Sequence, residues 1–185
     1  MAAHLANRGS NTTDVAKQEW QWFNASGLIN SDHLVNDGLL SSCGNNGQTT
    51  WTYNQGIIIG ALTELYRADG SSNSSYIEAA RQIADATIAN LTSSGILREG
   101  CEPDCTRDES QFKGVFARNL RLLYQVTSDR RYKDFLVENA NSVWEKDRSN
   151  TNVFGQSWTG PFIPSVNATT QTSGLDVIVA ALAIA

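Results

Sequence analysis

The sequence predicts an all-α fold of stacked helical hairpins, forming part of a helical toroid. Three observations carry that expectation. First, Leu62-Thr63-Glu64-Leu65-Tyr66 recurs as Leu120-Arg121-Leu122-Leu123-Tyr124, each followed by a polar turn and a new tyrosine, Tyr76 and Tyr132. With frayed copies through Leu5 and Leu182 the intervals are 60, 58 and 59 residues, the near-constant spacing of stacked supersecondary units. Second, apolar residues within each copy recur at helical spacing. Third, turns within a copy are short and polar, whereas connections between copies are long.

Taken in order, the chain begins late in one helix, at His4-Leu5-Ala6, and Val15, Ala16, Trp20 and Phe23 mark the next. Ile58, Ala61, Leu62, Leu65 and Tyr66 share a face of a helix that Asp69-Gly70 ends. Ser75-x-x-Glu78 reads as a capping box opening its partner, which carries Ile77, Ala80, Ile83, Ala84, Ile88 and Leu91. Phe112, Val115, Phe116, Leu120 and Leu123 form the next stripe. Tyr132, Phe135, Leu136, Ala140, Val143 and Trp144 form its partner's, and Leu175 to Ala185 begins the last helix. The long connections run from Gly27 to Thr50, Ser93 to Glu109 and Ser149 to Thr170, with short strands expected at Leu34–Leu40 and Gly95–Arg98. A closed ring of such hairpins needs more chain, so residues 1–185 are expected to be part of a larger domain, cut at both ends.

Composition narrows the function. The net charge of -5 argues against phosphate-backbone binding, so no nucleic-acid partner is expected. The longest apolar run, Val177 to Ala185, is nine residues, too short to span a bilayer. Asn, Ser and Thr make up 49 of the 185 residues and five sequons occur, at Asn11, Asn24, Asn73, Asn90 and Asn167. That many sequons lean towards a glycosylated, exported protein. Of the three cysteines, Cys43, Cys101 and Cys105, an oxidising compartment would pair two and leave one over. A zinc site using all three with His33 is the weaker alternative, lacking CxxC spacing. No phosphate loop, nucleophile elbow or cofactor motif is present, so no cofactor is expected.

Two loops carry chemistry. Trp51-Thr52-Tyr53-Asn54-Gln55-Gly56 sets aromatic faces beside amides at a helix mouth. Aromatic faces suit the apolar face of a sugar ring, and amides both donate to and accept from hydroxyls. The same residues also fit an aromatic helix start packed on its neighbour. The second loop holds Glu99, Glu102, Asp104, Asp108 and Glu109 within eleven residues, material for acid–base work or for binding hydroxyls. Arg98, Arg107 and Lys113 are placed to hold some of them ionised, and a solvated charged loop is the simpler account of any one of them. Asp37 adds a carboxylate beside the Gly38 turn.

The order Gly27-Leu28-Ile29-Asn30, Leu34-Val35-Asn36-Asp37-Gly38, Trp51-Thr52-Tyr53-Asn54-Gln55-Gly56, Leu62-x-x-Leu65-Tyr66-Arg67 and Gln111-Phe112-Lys113-Gly114 resembles glycoside hydrolase family 76, the α-1,6-mannanases and related fungal cell-wall proteins. The Cys101-Glu102-x-x-Cys105 loop is similar to the fungal branch and suggests a structural role for some of its carboxylates. The resemblance covers nearly the whole chain but only the C-terminal half of the family's domain. It implies an (α/α)6 barrel and hydrolysis of α-1,6-mannosidic linkages, in the fungal branch those of cell-wall or GPI-anchor glycans. It also implies an extracellular, cell-wall or membrane-anchored setting for the full-length protein. The family's catalytic pair is two adjacent aspartates, and this chain contains no Asp-Asp dipeptide. No catalytic residue is therefore assigned. What the resemblance implies here is the glycan-binding wall: Tyr53, Asn54 and Gln55, with Asp37, Lys113 and Trp158 nearby. A mannose-containing glycan is the expected ligand. A non-catalytic glycan-binding or scaffold protein is the alternative. Apolar surface left by an incomplete ring predicts self-association.

Overall fold

The computed structural model describes residues 10–106 and 108–185. The repeat copy read at Leu5, the helix end at His4 and Arg107 lie outside them, as does the side chain of Asn11. Among the described residues six α-helices carry the fold: α1 Ser10–Ala25, α2 Thr52–Ala68, α3 Ser74–Asn90, α4 Phe112–Thr127, α5 Arg130–Lys146 and α6 Ala168–Leu182. A 3-10 turn, Asp108–Gln111, precedes α4. The described strands are β1 Thr92–Ser93 and β2 Ile96–Leu97, an antiparallel pair.

Helices α2, α4 and α6 stand side by side as an inner row, and α3 and α5 cover it from outside. Helices α2 and α4 return through short turns to their outer partners, α3 and α5. All the long connections therefore gather at the N-terminal ends of the inner helices.

Glycine sets the closeness of the inner row. A Cβ on Gly56 would lie 2.6 Å from Phe116 Cα, and one on Gly114 would lie 2.8 Å from Ser173 Cα. Both contacts are backbone to backbone, so neither can be relieved by a side-chain rotation. Burial follows the repeat. Thr52, Gln55, Gly56, Ile59, Leu62 and Leu65 of α2 match Ser110, Lys113, Gly114, Ala117, Leu120 and Leu123, all buried. The third copy lies 60 residues on, one more than the sequence suggests: Thr170, Ser173, Gly174, Val177 and Ala180 match Ser110, Lys113, Gly114, Ala117 and Leu120, and Leu182 is 70% exposed.

Three further elements differ from expectation. Helix α3 is capped by Asn73, whose side chain accepts from Ser75 N, so Ser75 lies inside the helix. Helix α6 starts at Ala168, earlier than its apolar run, because Asn167 and Thr170 close a reciprocal capping box. In the first connection, strands are replaced by two tight hairpin turns with single bridges, Ile29 to Val35 and Leu39 to Asn45. His33 and Cys43 take left-handed backbone (φ 59° and 63°) in those turns.

Cys101 and Cys105 form a disulfide, and Cys43 is free and exposed. The disulfide takes two of the thiols a zinc site would need. No described helix is long and apolar enough to cross a membrane.

Candidate functional site: a glycan groove at the mouth of the inner helices

The start of α2 builds the site. Trp51 is its N-cap in extended backbone (φ -60°, ψ 142°), so the next residues turn sharply into the helix. Tyr53 is half-buried and its ring lies 4.2 Å from Phe112, the first residue of α4. Trp51 meets the same Phe112 edge-on at 5.5 Å. The three rings form an aromatic ledge spanning two inner helices. Phe112, expected in the core stripe, is instead half-exposed on this ledge.

Below the ledge runs a groove of about 700 Å³, lined among others by Tyr53, Asp108, Gln111, Phe112, Asn119 and Arg121. Burial raises the Tyr53 phenol above its ordinary pKa, and the carboxylates of Asp37 and Asp108 push it further. The two carboxylates are exposed and come from different connections. Asn54 stands half-buried beside Tyr53, its amide nitrogen buried. The groove thus offers an aromatic face, the Asp108 carboxylate and the Gln111 amide.

The other expected site residues lie behind this wall. Gln55 is fully buried. Its side-chain carbonyl accepts from Val35 N at 2.8 Å, and its amide donates to Val35 O at 2.8 Å and Trp51 O at 3.0 Å. It clamps the turn that carries Asp37 and has no surface for a ligand. Lys113 and Trp158 are also fully buried. The Lys113 ammonium donates to Glu102, donates to Gln156 O at 2.6 Å, and sits 4.8 Å from the centre of the Trp158 ring. These three residues, expected at the glycan surface, form a supporting layer. The physical reason is burial: the polar atoms of Gln55 and Lys113 are engaged by backbone and carboxylate partners, and the Trp158 ring is enclosed against the Lys113 ammonium.

The acidic loop divides in two. Asp104 and Asp108 are exposed. Glu99 and Glu102 are buried. Glu102 accepts from Glu99 N at 3.0 Å as well as from Lys113. Glu99 in turn accepts from Thr52 N at 3.2 Å and from the Thr52 hydroxyl, at the first residue of α2. Burial raises the Glu99 carboxyl to about 7, and Asp147, at the end of α5, to about 7 for the same reason. Burial lowers Lys113, against the pull of Glu102. No group of three or more metal-ligating side chains exists among the described residues.

The profile of glycosyl hydrolase family 76 matches residues 1–185. The chain belongs to that family. It is 27% identical over 155 residues to the mannan endo-1,6-alpha-mannosidase DCW1 of Candida albicans, covering 77% of this chain and 34% of that protein. It is 28% identical over 130 residues to DFG5 of Saccharomyces cerevisiae, of the same description, covering 66% and 28%. The GH76A α-1,6-mannanase of Salegentibacter superposes with a TM-score of 0.87 at 23% identity, over 100% of this chain and 56% of that one. The chain thus spans about a third of the curated relatives and just over half of the solved structure, and it shares the family's (α/α)6 barrel architecture. Inactive variants of the Salegentibacter enzyme, with two adjacent aspartates replaced, were solved with α-1,6-mannotriose and α-1,6-mannotetrose. No such dipeptide occurs in this chain.

Of the groove residues, Asp108 is read from sequence only within the acidic loop and Phe112 only within a core stripe and the Gln111–Gly114 motif, and Asn119 is not singled out. The spacing from Tyr53 to Gln111-Phe112, one repeat later, is the signal that pairs them.

Proposed function

We propose that this chain forms one wall of the glycan cleft of an endo-α-1,6-mannosidase-type protein acting on α-1,6-mannosidic linkages of cell-wall or GPI-anchor glycans. The observation that carries the reading is the Tyr53–Phe112 ledge above the groove lined by Asp108 and Gln111, with the carboxylates of Asp37 and Asp108 raising the same phenol. A mannose ring stacked on Tyr53 would donate its hydroxyl hydrogens to the two carboxylates, while the Gln111 amide in the same groove offers a donor and an acceptor. Gln55, Lys113 and Trp158 support that wall from behind.

The chain alone binds without hydrolysing, because retaining and inverting glycosidases alike need two carboxyl groups flanking the scissile bond. The family's adjacent aspartates are absent from these 185 residues. The sequons at Asn24, Asn73, Asn90 and Asn167 are all exposed, which suits an exported glycoprotein.

The ring left incomplete has two apolar edges. One lies between α1 and α2, a groove of about 530 Å³ that includes Trp20, Trp22, Phe23 and Ile57. The other is the outer face of α6, where Leu175, Val179 and Leu182 are exposed. Further hairpins of a complete ring would cover both.

The test is titration of the 185-residue chain with α-1,6-mannotriose, alongside an assay for release of mannose-containing products from α-1,6-mannan. Saturable binding without cleavage is expected. Cleavage by this chain would overturn its inactivity, and absence of binding would overturn the substrate.

A further inference from the structure

We infer that Lys113 is a positioning residue of the Tyr53 groove: its charge holds Glu102, and through Glu102 and Glu99 it fixes Thr52 and hence the neighbouring Tyr53. The inference rests on the glycan-groove reading and deepens it.

The relay is continuous. Lys113 donates to Glu102; Glu102 accepts from the backbone of Glu99; and Glu99 accepts from both the backbone and the hydroxyl of Thr52. Thr52 is the first residue of α2, and Tyr53 follows it. Lys113 itself follows Phe112, the ring on which Tyr53 packs. One buried cation thus reaches both halves of the aromatic ledge, from the front through the backbone and from behind through two carboxylates.

The repeat shows that the charge is not needed merely to hold a loop. Lys113 matches Gln55 in the burial pattern of the preceding inner helix. There a neutral amide clamps the incoming connection with three hydrogen bonds. A neutral clamp avoids the desolvation cost of an ion, which is several kcal/mol. The second copy carries a fully buried ammonium instead. Its incoming strand β2 is held by another neutral amide, with Asn139 accepting from Leu97 N at 2.8 Å. Strand β2 is therefore left to Asn139, and the partners of Lys113 are Glu102, Gln156 and Trp158.

The groups facing this cation from each element are Glu99 and Glu102 of the disulfide loop, Asp147 at the end of α5, and the Gln156 carbonyl and Trp158 ring of the following connection. Arg98 reaches the same loop, donating to the Glu102 backbone carbonyl at 3.2 Å. Removing the ammonium while keeping a hydrogen-bonding side chain leaves Glu102 buried without its counter-ion. That leaves an uncompensated buried charge, which the loop relieves by moving.

The experiment compares wild type, Lys113→Gln and Lys113→Gln/Glu102→Gln for α-1,6-mannotriose affinity. Lys113→Gln is expected to bind about tenfold more weakly than wild type, and the double variant to recover the affinity. A loss without rescue, or no loss at all, would overturn the positioning role. The Tyr53 ring resonances, followed without ligand, separate this from the substrate reading. They are expected to shift in Lys113→Gln and return in the double variant, even if no variant binds mannotriose. Should Lys113→Gln unfold, Glu102→Ala cuts the relay from the other side, and an unmoved Tyr53 ring in that variant overturns the inference.

Discussion

Tyr53 and Phe112 hold their rings 4.2 Å apart across the mouths of two adjacent inner helices. Aromatic pairs of this kind contribute about 0.5–1.5 kcal/mol beyond burial, and the exposed part of the Tyr53 face remains for a ligand. Tyr53→Ala is expected to weaken α-1,6-mannotriose binding about tenfold or more, while Tyr53→Phe keeps most of the affinity. Calorimetric titration checks both. Equal losses in the two variants would move the contact from the ring to the hydroxyl.

Gln55 is expected to act on stability and only indirectly on binding. Gln55→Ala strands the backbone N–H and carbonyl of Val35, both buried. Each orphaned group costs about 1–3 kcal/mol. Hydrogen exchange at the Val35 amide should accelerate strongly, and the melting temperature should fall. A variant with native exchange at Val35 would contradict the clamp.

Gly56→Ala separates helix propensity from packing. In a solvent-exposed helix the change would gain about 1 kcal/mol. Here the new methyl meets Phe116 Cα at 2.6 Å, and overpacking against backbone costs about 1–3 kcal/mol or more. The expected result is a lower melting temperature with unchanged helix content by circular dichroism.

The pH dependence of stability has a definite sign. Asp147 has its carboxyl raised by burial from 3.8 to about 7. The native state therefore holds a proton that the unfolded chain releases near pH 4. Its stabilising contribution is full below that point and is lost as pH rises through about 7. Asp147→Asn removes the titration. It is expected to be more stable than wild type at pH 8, with the difference vanishing near pH 4, when urea midpoints are compared. A variant destabilised equally at both pH values would show that ionisation of Asp147 is not the cause.

The apolar edges predict concentration-dependent association of the 185-residue chain. Trp22 is 61% exposed and Val179 57%, and such patches favour burial against another surface. Sedimentation velocity across a tenfold concentration range checks this. Trp22→Glu and Val179→Glu together are expected to yield a monomer.

Much of the architecture is legible in the residues. The Leu-Tyr repeat, the helical stripes and the position of the long connections follow from spacing, because a helix must bury one face and a polar segment cannot continue it. Helix starts were harder. The polar run at Ala168 to Ser173 conceals a helix because its start depends on the reciprocal Asn167–Thr170 bonds rather than on apolar periodicity. The site was legible by membership and less so by role. Tyr53 lines the groove, with Asn54 beside it and the Asp37 carboxylate acting on its phenol. Gln55, Lys113 and Trp158 gather behind it, since residue type does not reveal which way a side chain points in the first turn of a helix. The division of the acidic loop into buried Glu99 and Glu102 and exposed Asp104 and Asp108 depends on Lys113 and Thr52, neither of which its composition reveals.

The exposed thiol of Cys43 sits at the tip of the second tight turn of the first connection. The base of that turn is closed by Asn46 N donating to Gly38 O at 3.0 Å, and Leu40 N donates to Gly44 O at 2.8 Å. Asp37 immediately precedes Gly38. The other two cysteines are locked together, so a maleimide dye added to the native chain attaches at one place. That dye would be coupled through two backbone hydrogen bonds to the carboxylate rim, making the unmodified sequence its own fluorescent reporter of groove occupancy.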